Sequence, residues 1–450
     1  MQVKLAFGKS GLDVELPDGP SWRVLRLRQE TPLPDIRGAL AEALDHPIGT
    51  PPLSQLAAGK SSAAIAVCDI TRPAPNSVTL PPLLERLHNA GIPSDAITIH
   101  VATGLHRPAT KAEIEAILGP SIANRHRVIN HYAKDLACHV HLGSTRSGTP
   151  VYIDRAFLAA DLHITLGFIE PHLMAGFSGG RKLIVPGLAA QETIKVLHSP
   201  RFMRQSSTTE GSIDGNPLHA ELLEIAAMAR HDFMLDVVLT RRREIAGVFA
   251  GDAIQAHAAG VNFVRDSFLE TLPARADAVI TTGAGYPLDL TFYQTIKGIT
   301  AAQHIVRPGG KILVFGECAE GLGASEFAAQ LARFSNYQEF LERIDQSPVE
   351  VDQWQLEKLA MVGCRIETLF YVPGIRPPDT GGLSGQIFES PKAAMEALLR
   401  GLDRNAFIAV IPEGPYVFAQ VSRDPSGQIG DGRESSSEAA DSQDGAAIMA

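Results

Sequence analysis

The sequence predicts an α/β protein of two domains, with the functional site in the cleft between them. Short apolar runs alternate with helix-like stretches, and this pattern starts again near residue 276. The length of 450 residues also exceeds that of one ordinary domain. We place an N-terminal domain at residues 1–264 and a C-terminal domain at 275–420. The tail at 421–450 is predicted to be disordered, because it is poor in apolar residues and rich in Ser, Asp, Glu and Gly.

Three buried strands are predicted in the N-terminal domain, at Ala63–Cys68, Ala96–Thr103 and Asp161–Phe168. Helices are predicted after the first two of them, at Pro81–Gly91 and Lys111–Leu118. In each case unusual polar residues follow the carboxyl end of the strand. Ligands bind at this edge in open α/β sheets, so we expect the site there.

The C-terminal domain repeats this alternation of strands and helices. Strands are predicted at Asp277–Gly285 and Gly309–Glu317, followed by a largely helical stretch at Ser325–Leu359 and two later strands near 365–372 and 406–414. A helical segment around Ala253–Leu269 is the predicted connector between the two domains.

Composition excludes several classes of function. The formal charge of −10 argues against a broad nucleic-acid surface, which has to be basic. No apolar run approaches the roughly 20 residues of a membrane span, and the N-terminus lacks the apolar stretch of a signal peptide. The four cysteines form no C-x-x-C pair. We therefore expect a cytoplasmic protein that binds neither nucleic acid nor membrane.

The segment EPHLMAGFSGGRKLIVP, residues 170–186, combines a glycine-rich loop with Lys182. Such a loop can wrap a phosphate with its backbone N–H groups, or it can be an ordinary flexible loop. It is not a Walker A loop, since Leu183 follows the lysine. His172 and His198 bracket it. Histidine serves as a metal ligand or a proton carrier, although a lone histidine is more often structural. Their spacing differs from a helical zinc site, so a metal would need further ligands from elsewhere or from a cofactor.

Further candidates follow other strands. Arg72, near Asp69, can grip a carboxylate or phosphate, or merely cap a loop, and His106 lies in the motif TGLHRP. In the C-terminal domain, FYQTIKG places a tyrosine, a glutamine and a lysine within one helical turn, which can also be a solvated helix face. GAGYPLD at 283–289 lacks the third glycine of a dinucleotide fingerprint. The residues alone thus indicate an anionic small substrate and histidine acid/base chemistry, and leave the reaction open.

The motifs DITRP, TGLHRP, EPHLMAGFSGGRKLIVPG, HSP and YQTIKGITAA, in this order, closely resemble the nickel-dependent lactate racemase family over nearly the whole chain except the tail. The resemblance implies a nickel-pincer nucleotide, a pyridinium-3-thioamide-5-thiocarboxylic acid mononucleotide. It implies that this group is joined to Lys182 through a thioamide and that His198 is the protein's nickel ligand. Planar nickel with soft donors and one imidazole agrees with the metal's preferences. The phosphate of the nucleotide would then occupy the glycine loop.

The resemblance also implies a division of roles in a racemase or epimerase of a small 2-hydroxy acid. His106 and His172 would be opposed acid/bases, while hydride passes reversibly from Cα to the cofactor through a planar 2-keto acid. The remaining expected positions are Arg72, Tyr293, Gln294 and Lys297 for the substrate carboxylate and site closure, and Asp69 and Trp354 lining the cofactor and substrate.

The expected partners are the 2-hydroxy acid and the enzymes that synthesise the cofactor. Relatives act on lactate, malate, aryl-lactates and sugar acids, and the sequence does not select among them. Two alternatives stay open. A nicotinamide-dependent dehydrogenase would need the complete glycine fingerprint. A non-catalytic carrier of the nickel cofactor would need Lys182 and His198, but not the pair His106 and His172.

Overall fold

The computed structural model of the protein describes residues 1–26, 31–240, 242–376 and 385–422, so the predicted tail lies outside the described residues from 423 onward. The strands in these ranges are β1 (Gln2–Leu5), β2 (Leu12–Glu15), β3 (Ser21–Val24), β4 (Ala63–Cys68), β5 (Ile97–Ala102), β6 (Arg127–Asn130), β7 (His139–Ser144), β8 (Pro150–Asp154), β9 (Leu162–Phe168), β10 (Pro171–His172), β11 (Gly176–Phe177), β12 (Phe233–Leu239), β13 (Ile245–Gly251), β14 (Leu269–Leu272), β15 (Ala276–Thr282), β16 (Val306–Phe315), β17 (Glu367–Tyr371), β18 (Gln386–Ile387), β19 (Phe407–Val410) and β20 (Phe418–Val421).

The helices in the same ranges are α1 (Ile36–Asp45), α2 (Leu53–Ala57), α3 (Asn76–Asn89), α4 (Lys111–Leu118), α5 (Pro120–Arg125), α6 (Arg155–Leu158), α7 (Arg181–Ile184), α8 (Gln191–Leu197), α9 (Pro200–Met203), α10 (Pro217–Met228), α11 (Gln255–Phe268), α12 (Phe292–Ala302), α13 (Ser325–Arg333), α14 (Tyr337–Ile344), α15 (Gln353–Gly363) and α16 (Pro391–Leu399). None of these helices has the length and apolar character that a bilayer span requires.

The N-terminal sheet has the strand order β13-β12-β9-β4-β5-β6. Its strands are parallel, except that β13 runs antiparallel to β12. Every residue of β4 is buried, because alternate side chains enter different cores: Ile65 and Val67 on one face, Ala64 and Ala66 on the other. A strand that is covered on both faces consists of consecutive apolar residues, and that run of residues predicted β4.

The C-terminal sheet has the order β18-β17-β16-β15-β19-β3, and all its neighbouring strands are parallel. One face packs on α12 to α15 through residues such as Val279 and Val314. The other face packs on α16 and on the β1–β2 hairpin through residues such as Ile280 and Phe315. This is the second α/β domain that the sequence predicted.

Residues 1–26 differ from the prediction, which placed them in the N-terminal domain. Strand β3 pairs with β19 at the edge of the C-terminal sheet. The apolar face of the β1–β2 hairpin, including Val3 and Val14, joins the C-terminal core. A two-stranded hairpin cannot bury its apolar face by itself. It therefore packs on a partner that lies more than 250 residues away in the chain, which local patterning does not reveal.

Helix α3 also differs from its prediction. It begins at Asn76 rather than at the prolines, so Pro81 and Pro82 lie inside it. The prediction used proline as a marker of the first helical turn.

Both sheets change direction beside a central strand, and these points set the position of the site. From β4 the chain proceeds to β5 and β6 on one side and later to β9 and β12 on the other. From β15 it proceeds to β16 and β17 on one side, whereas β19 lies on the other. Ligands of open α/β sheets bind where the strand order reverses, at the carboxyl ends of the strands.

Candidate active site

Asp69 and His106 follow two neighbouring strands, β4 and β5, and meet at the sheet edge. His106 donates from Nδ1 to Asp69 Oδ2 at 2.7 Å, and Thr71 donates from its hydroxyl to Oδ1 at 2.6 Å. Burial alone would raise the pKa of the Asp69 carboxyl, but His106, Thr71 and Arg72 together hold that pKa below its ordinary value. The His106 side chain is 53% exposed, and since Nδ1 bonds Asp69, Nε2 is the ring nitrogen left for other partners.

His172 lies after β9, in the short antiparallel pair of β10 and β11. Its Nδ1 accepts N–H groups of Met174 and Ala175 at 3.4 and 3.2 Å, so the neutral ring carries its proton on Nε2. Desolvation holds the pKa of His172 well below its ordinary value, and nearby cations, first Lys182 and then Arg72, lower it further. This histidine is neutral at pH 7.

Lys182 is the second residue of α7, at the end of the glycine-rich loop. Burial, together with the neighbouring Arg72 and Arg181 guanidinium groups, lowers the pKa of the Lys182 ammonium to about 7. A substantial fraction of this amine is therefore uncharged and nucleophilic at neutral pH. Arg72 itself lies on the exposed loop after β4 and acts electrostatically on both Lys182 and His172.

The glycine loop is held by the protein itself. The Ser178 N–H donates to the Glu170 carbonyl at 2.9 Å, and the Gly180 N–H donates to Asp236 Oδ2 at 2.7 Å. Arg181 is fully buried and donates to backbone carbonyls of the same segment. The expected phosphate cradle therefore does not involve these two N–H groups or this arginine, and their hydrogen bonds instead fix the loop that presents Lys182.

His198 caps the carboxyl end of α8. Its Nδ1 donates to the Ile194 carbonyl at 2.8 Å, which leaves the Nε2 lone pair free of that interaction. The Trp354 ring, from the other domain, lies 4.5 Å from the His198 ring between centroids. Burial lowers the pKa of His198 to about 4, so the imidazole is neutral. A neutral ring whose other nitrogen bonds a carbonyl is the usual form of a metal-binding histidine.

Three predicted substrate residues lie on α12. Tyr293 donates from its hydroxyl to Asp352 Oδ1 at 3.2 Å. The Gln294 Oε1 atom is buried and has no hydrogen-bond partner among the described residues. Burial, and next the charge of Arg72, lower the pKa of Lys297 to about 7. Because Arg72 belongs to the N-terminal domain and Lys297 to the C-terminal domain, the two domains face each other across one cleft.

Sequence reasoning assigned no role to two acidic residues of this cleft, Glu170 and Glu210. Burial raises the pKa of Glu170, although Arg72, Lys297 and Lys182 act in the opposite direction, which places its carboxyl among these cations. Burial and Glu170 raise the pKa of Glu210 to about 8. Glu170 lies two residues after the end of β9, in the EPH motif, and that position was the signal available for it. Nothing local identified Glu210.

No group of three or more histidine, cysteine, aspartate or glutamate residues within the described ranges is arranged to hold a metal ion. His198 is therefore a candidate ligand only in combination with donors that a cofactor brings. The structure brings His172, Lys182 and Arg72 together with Lys297, and His198 with Trp354. His106 joins them through Asp69 and through its electrostatic effect on Asp352.

These features define a class: a two-domain α/β protein whose interdomain cleft holds two histidines, a lysine and an arginine. Comparison with known proteins gives the family. The chain matches the lactate racemase N-terminal domain over residues 7–211 and the lactate racemase C-terminal domain over residues 272–419. It belongs to the lactate racemase family and is an enzyme of the isomerase class.

Among curated proteins, the chain is 35% identical to a lactate racemase of Lactiplantibacillus plantarum over 383 residues, which cover 84% of this chain and 90% of that one. It is 34% identical to a lactate racemase of Thermoanaerobacterium thermosaccharolyticum over 80% of this chain and 85% of that one.

Two solved structures resemble the fold. The lactate racemase apoprotein of Thermoanaerobacterium thermosaccharolyticum superimposes with a TM-score of 0.86 at 31% identity, covering 93% of this chain and 100% of that one. A protein of Thermotoga maritima, 16% identical, has a TM-score of 0.64 over 87% of this chain and 100% of that one, and supports the fold alone.

Proposed function

We propose that this enzyme interconverts the enantiomers of lactate or a related small 2-hydroxy acid. The observation that carries the proposal is the presence, in one cleft, of two histidines in different protonation environments beside two cations from opposite domains. A racemase needs a proton carrier for each face of its substrate, and a hydroxy acid needs cations for its carboxylate. The relatives named lactate racemase support the same reaction.

We further propose that the enzyme carries a nickel-pincer nucleotide, and the residues present fit such a group. His198 offers one neutral imidazole whose Nδ1 bonds a carbonyl, and no group of three or more His, Cys, Asp or Glu side chains in the described part of the chain is arranged to hold a metal. Lys182 offers an amine whose pKa of about 7 suits the formation of a covalent bond. When bound, the cofactor supplies the acceptor for the Cα hydrogen, which is too weakly acidic to leave as a proton.

The residues of the chain perform the remaining tasks. Arg72 and Lys297 bind the substrate carboxylate and orient the hydroxyl group. His106 accepts the hydroxyl proton at Nε2, and the Asp69 carboxylate stabilises the resulting imidazolium. His172 exchanges the corresponding proton for the other enantiomer. Tyr293, held by Asp352, closes the cleft from the C-terminal side and excludes water.

The test is chiral analysis after co-production with the enzymes of cofactor synthesis. Purified protein is incubated with single enantiomers of lactate, malate, an aryl-lactate and a sugar acid. We expect racemisation or epimerisation of at least one of them, together with a covalent adduct in the intact mass. Lys182→Ala should abolish both signals, and the matched control Lys111→Ala, at an exposed position on α4, should preserve both.

Two outcomes contradict the proposal in different ways. A protein with the adduct that interconverts none of the acids is a carrier rather than a racemase. A protein without an adduct that nevertheless racemises a hydroxy acid does not use this cofactor at Lys182.

A further inference from the structure

Helix α15 contacts both halves of the proposed site. At its amino end, the Trp354 ring packs against the His198 ring, and Trp354 belongs to the core of the N-terminal domain although it follows α12 in the chain. Beside it, Gln355 donates from its amide to the Tyr293 carbonyl at 3.0 Å. One helix therefore connects the candidate nickel ligand with the helix that carries the candidate substrate residues.

Two charged residues lie one turn further along the same helix. Glu357 and Lys358 follow Trp354 by three and four positions, so all three project from the same face. Lys358 donates from Nζ to the carbonyl groups of Met203 and Thr208, both at 2.8 Å. Glu357 accepts from Arg204 Nε at 3.2 Å.

The residues on the other side of this contact belong to the segment that follows His198. Met203 ends α9, and Arg204 caps it and donates to the Leu341 carbonyl and to Asp345 as well. The C-terminal domain therefore holds this segment at several points, within six residues of the candidate nickel ligand.

The hydrogen bonds of Lys358 and Glu357 are shielded from water. Lys358 is 5% exposed and Glu357 is fully buried. A charged side chain in such a position is retained only when hydrogen bonds replace its hydration, and the two carbonyl groups provide this for Lys358. If α15 shifted, the ammonium group would lose both partners at once, so its position relative to Met203 and Thr208 is strongly determined.

We propose that Lys358 and Glu357 are positioning residues that fix α15 against the segment after His198, and thereby set the Trp354–His198 contact and couple it to Tyr293. The proposal rests on the proposed function only where it assigns nickel to His198. The position of Trp354 itself can be measured in the protein without cofactor.

The experiment uses Trp354 as the single tryptophan. The chain has two, so Trp22→Phe provides the background for all variants. Lys358→Met removes the two interdomain hydrogen bonds. Lys358→Arg retains donors for the same carbonyls. The matched control is Lys311→Met, because Lys311 also donates to two carbonyls, those of Ala397 and Arg400, but wholly within the C-terminal domain.

In the cofactor-free proteins we expect Lys358→Met to shift Trp354 emission to the red and to increase its quenching by acrylamide. Lys311→Met should leave both unchanged, and Lys358→Arg should restore them. In the loaded enzyme, displacement of the His198 side should lower kcat of Lys358→Met by about tenfold to a hundredfold, with KM nearly unchanged. If Lys358→Met fails to fold, Glu357→Gln, which keeps the side-chain shape, should show the same spectral change.

The proposal is overturned if Lys358→Met and Lys311→Met give the same quenching, or if Lys358→Arg is no better than Lys358→Met. A parent enzyme without racemase activity would contradict the proposed function instead, and the comparison of quenching would still decide the position of α15.

Discussion

The two candidate acid/base histidines occupy equivalent places in the sheet but opposite environments. His106 and His172 follow β5 and β9, the two neighbours of β4. His106 is half-exposed and bonded to a carboxylate, whereas His172 is partly buried, accepts backbone N–H groups and is surrounded by cations. The charges beside the two rings therefore have opposite signs.

Because the two histidines have different surroundings, the site is not symmetrical, although the reaction it is proposed to catalyse is. The equilibrium constant of a racemisation is one, so kcat/KM must be equal for the two enantiomers. The asymmetry of the histidines can therefore appear only as different kcat and KM values, compensating each other, for the two hands of the substrate. A histidine that remains neutral is ready to accept a proton, whereas the ring of His106 shares a hydrogen bond with a carboxylate.

The largest expected effect comes from removing either histidine. His106→Ala and His172→Ala should each lower kcat by about 10³-fold, because each removes an acid/base group. Added imidazole should rescue His106→Ala in part, since that side chain is half-exposed, and should not rescue His172→Ala. The measurement is the racemisation rate with and without imidazole. Equal rescue of the two variants would contradict the difference in their environments.

A smaller effect is expected from Asp69→Asn, which preserves the shape of the side chain and removes its charge. Without the carboxylate, the His106 imidazolium loses its partner at 2.7 Å, and kcat should fall by about 10²-fold. The nickel content of the loaded enzyme should not change. Asp232→Asn is the matched control, because its carboxylate also bonds a histidine, His163, but at the amino ends of β9 and β12. A loss as large as that of Asp69→Asn would show that the change of charge, rather than the hydrogen bond to His106, is responsible.

Lys297→Met should produce the smallest effect on kcat and the clearest effect on pH dependence. Lys297 is one of the cations that lower the pKa of His172, so its removal should raise that pKa. His172 is active as a base only when it is neutral, and the acid limb of the kcat profile should therefore move to higher pH. KM should also rise about tenfold, through loss of a charge-assisted hydrogen bond to the substrate. An acid limb that moves to lower pH would contradict this account.

The sequence predicted those parts of the fold that depend on the pattern of neighbouring residues. The strands β4, β5 and β9 matched their predictions within one residue at each end, because each is rich in apolar residues and mostly or wholly buried. The place of β3 was not predicted, because this strand pairs with β19, which lies far along the chain. Such non-local pairing leaves no periodic signal.

The residues of the candidate site also differ in whether the sequence alone could identify them. Asp69 and His106 could be found because they lie one and four residues after the ends of β4 and β5. The contact of Trp354 with His198 could not be found from the residues themselves, because it depends on how α15 docks on the other domain through Lys358 and Glu357. Glu210 enters the cleft only through folding of a loop, and no motif marks it.

Three histidines are assigned three different roles, and the nickel content of their alanine variants distinguishes these roles. His106→Ala, His172→Ala and His198→Ala are co-produced with the cofactor-synthesis enzymes, purified, and analysed for nickel per chain and for intact mass. We expect His198→Ala alone to lose nickel, because only His198 combines a neutral ring, a carbonyl-bonded Nδ1 and a contact with Trp354. The assignment is contradicted if His198→Ala retains nickel and His172→Ala or His106→Ala loses it. In that case the histidine that was assigned as a base is the nickel ligand.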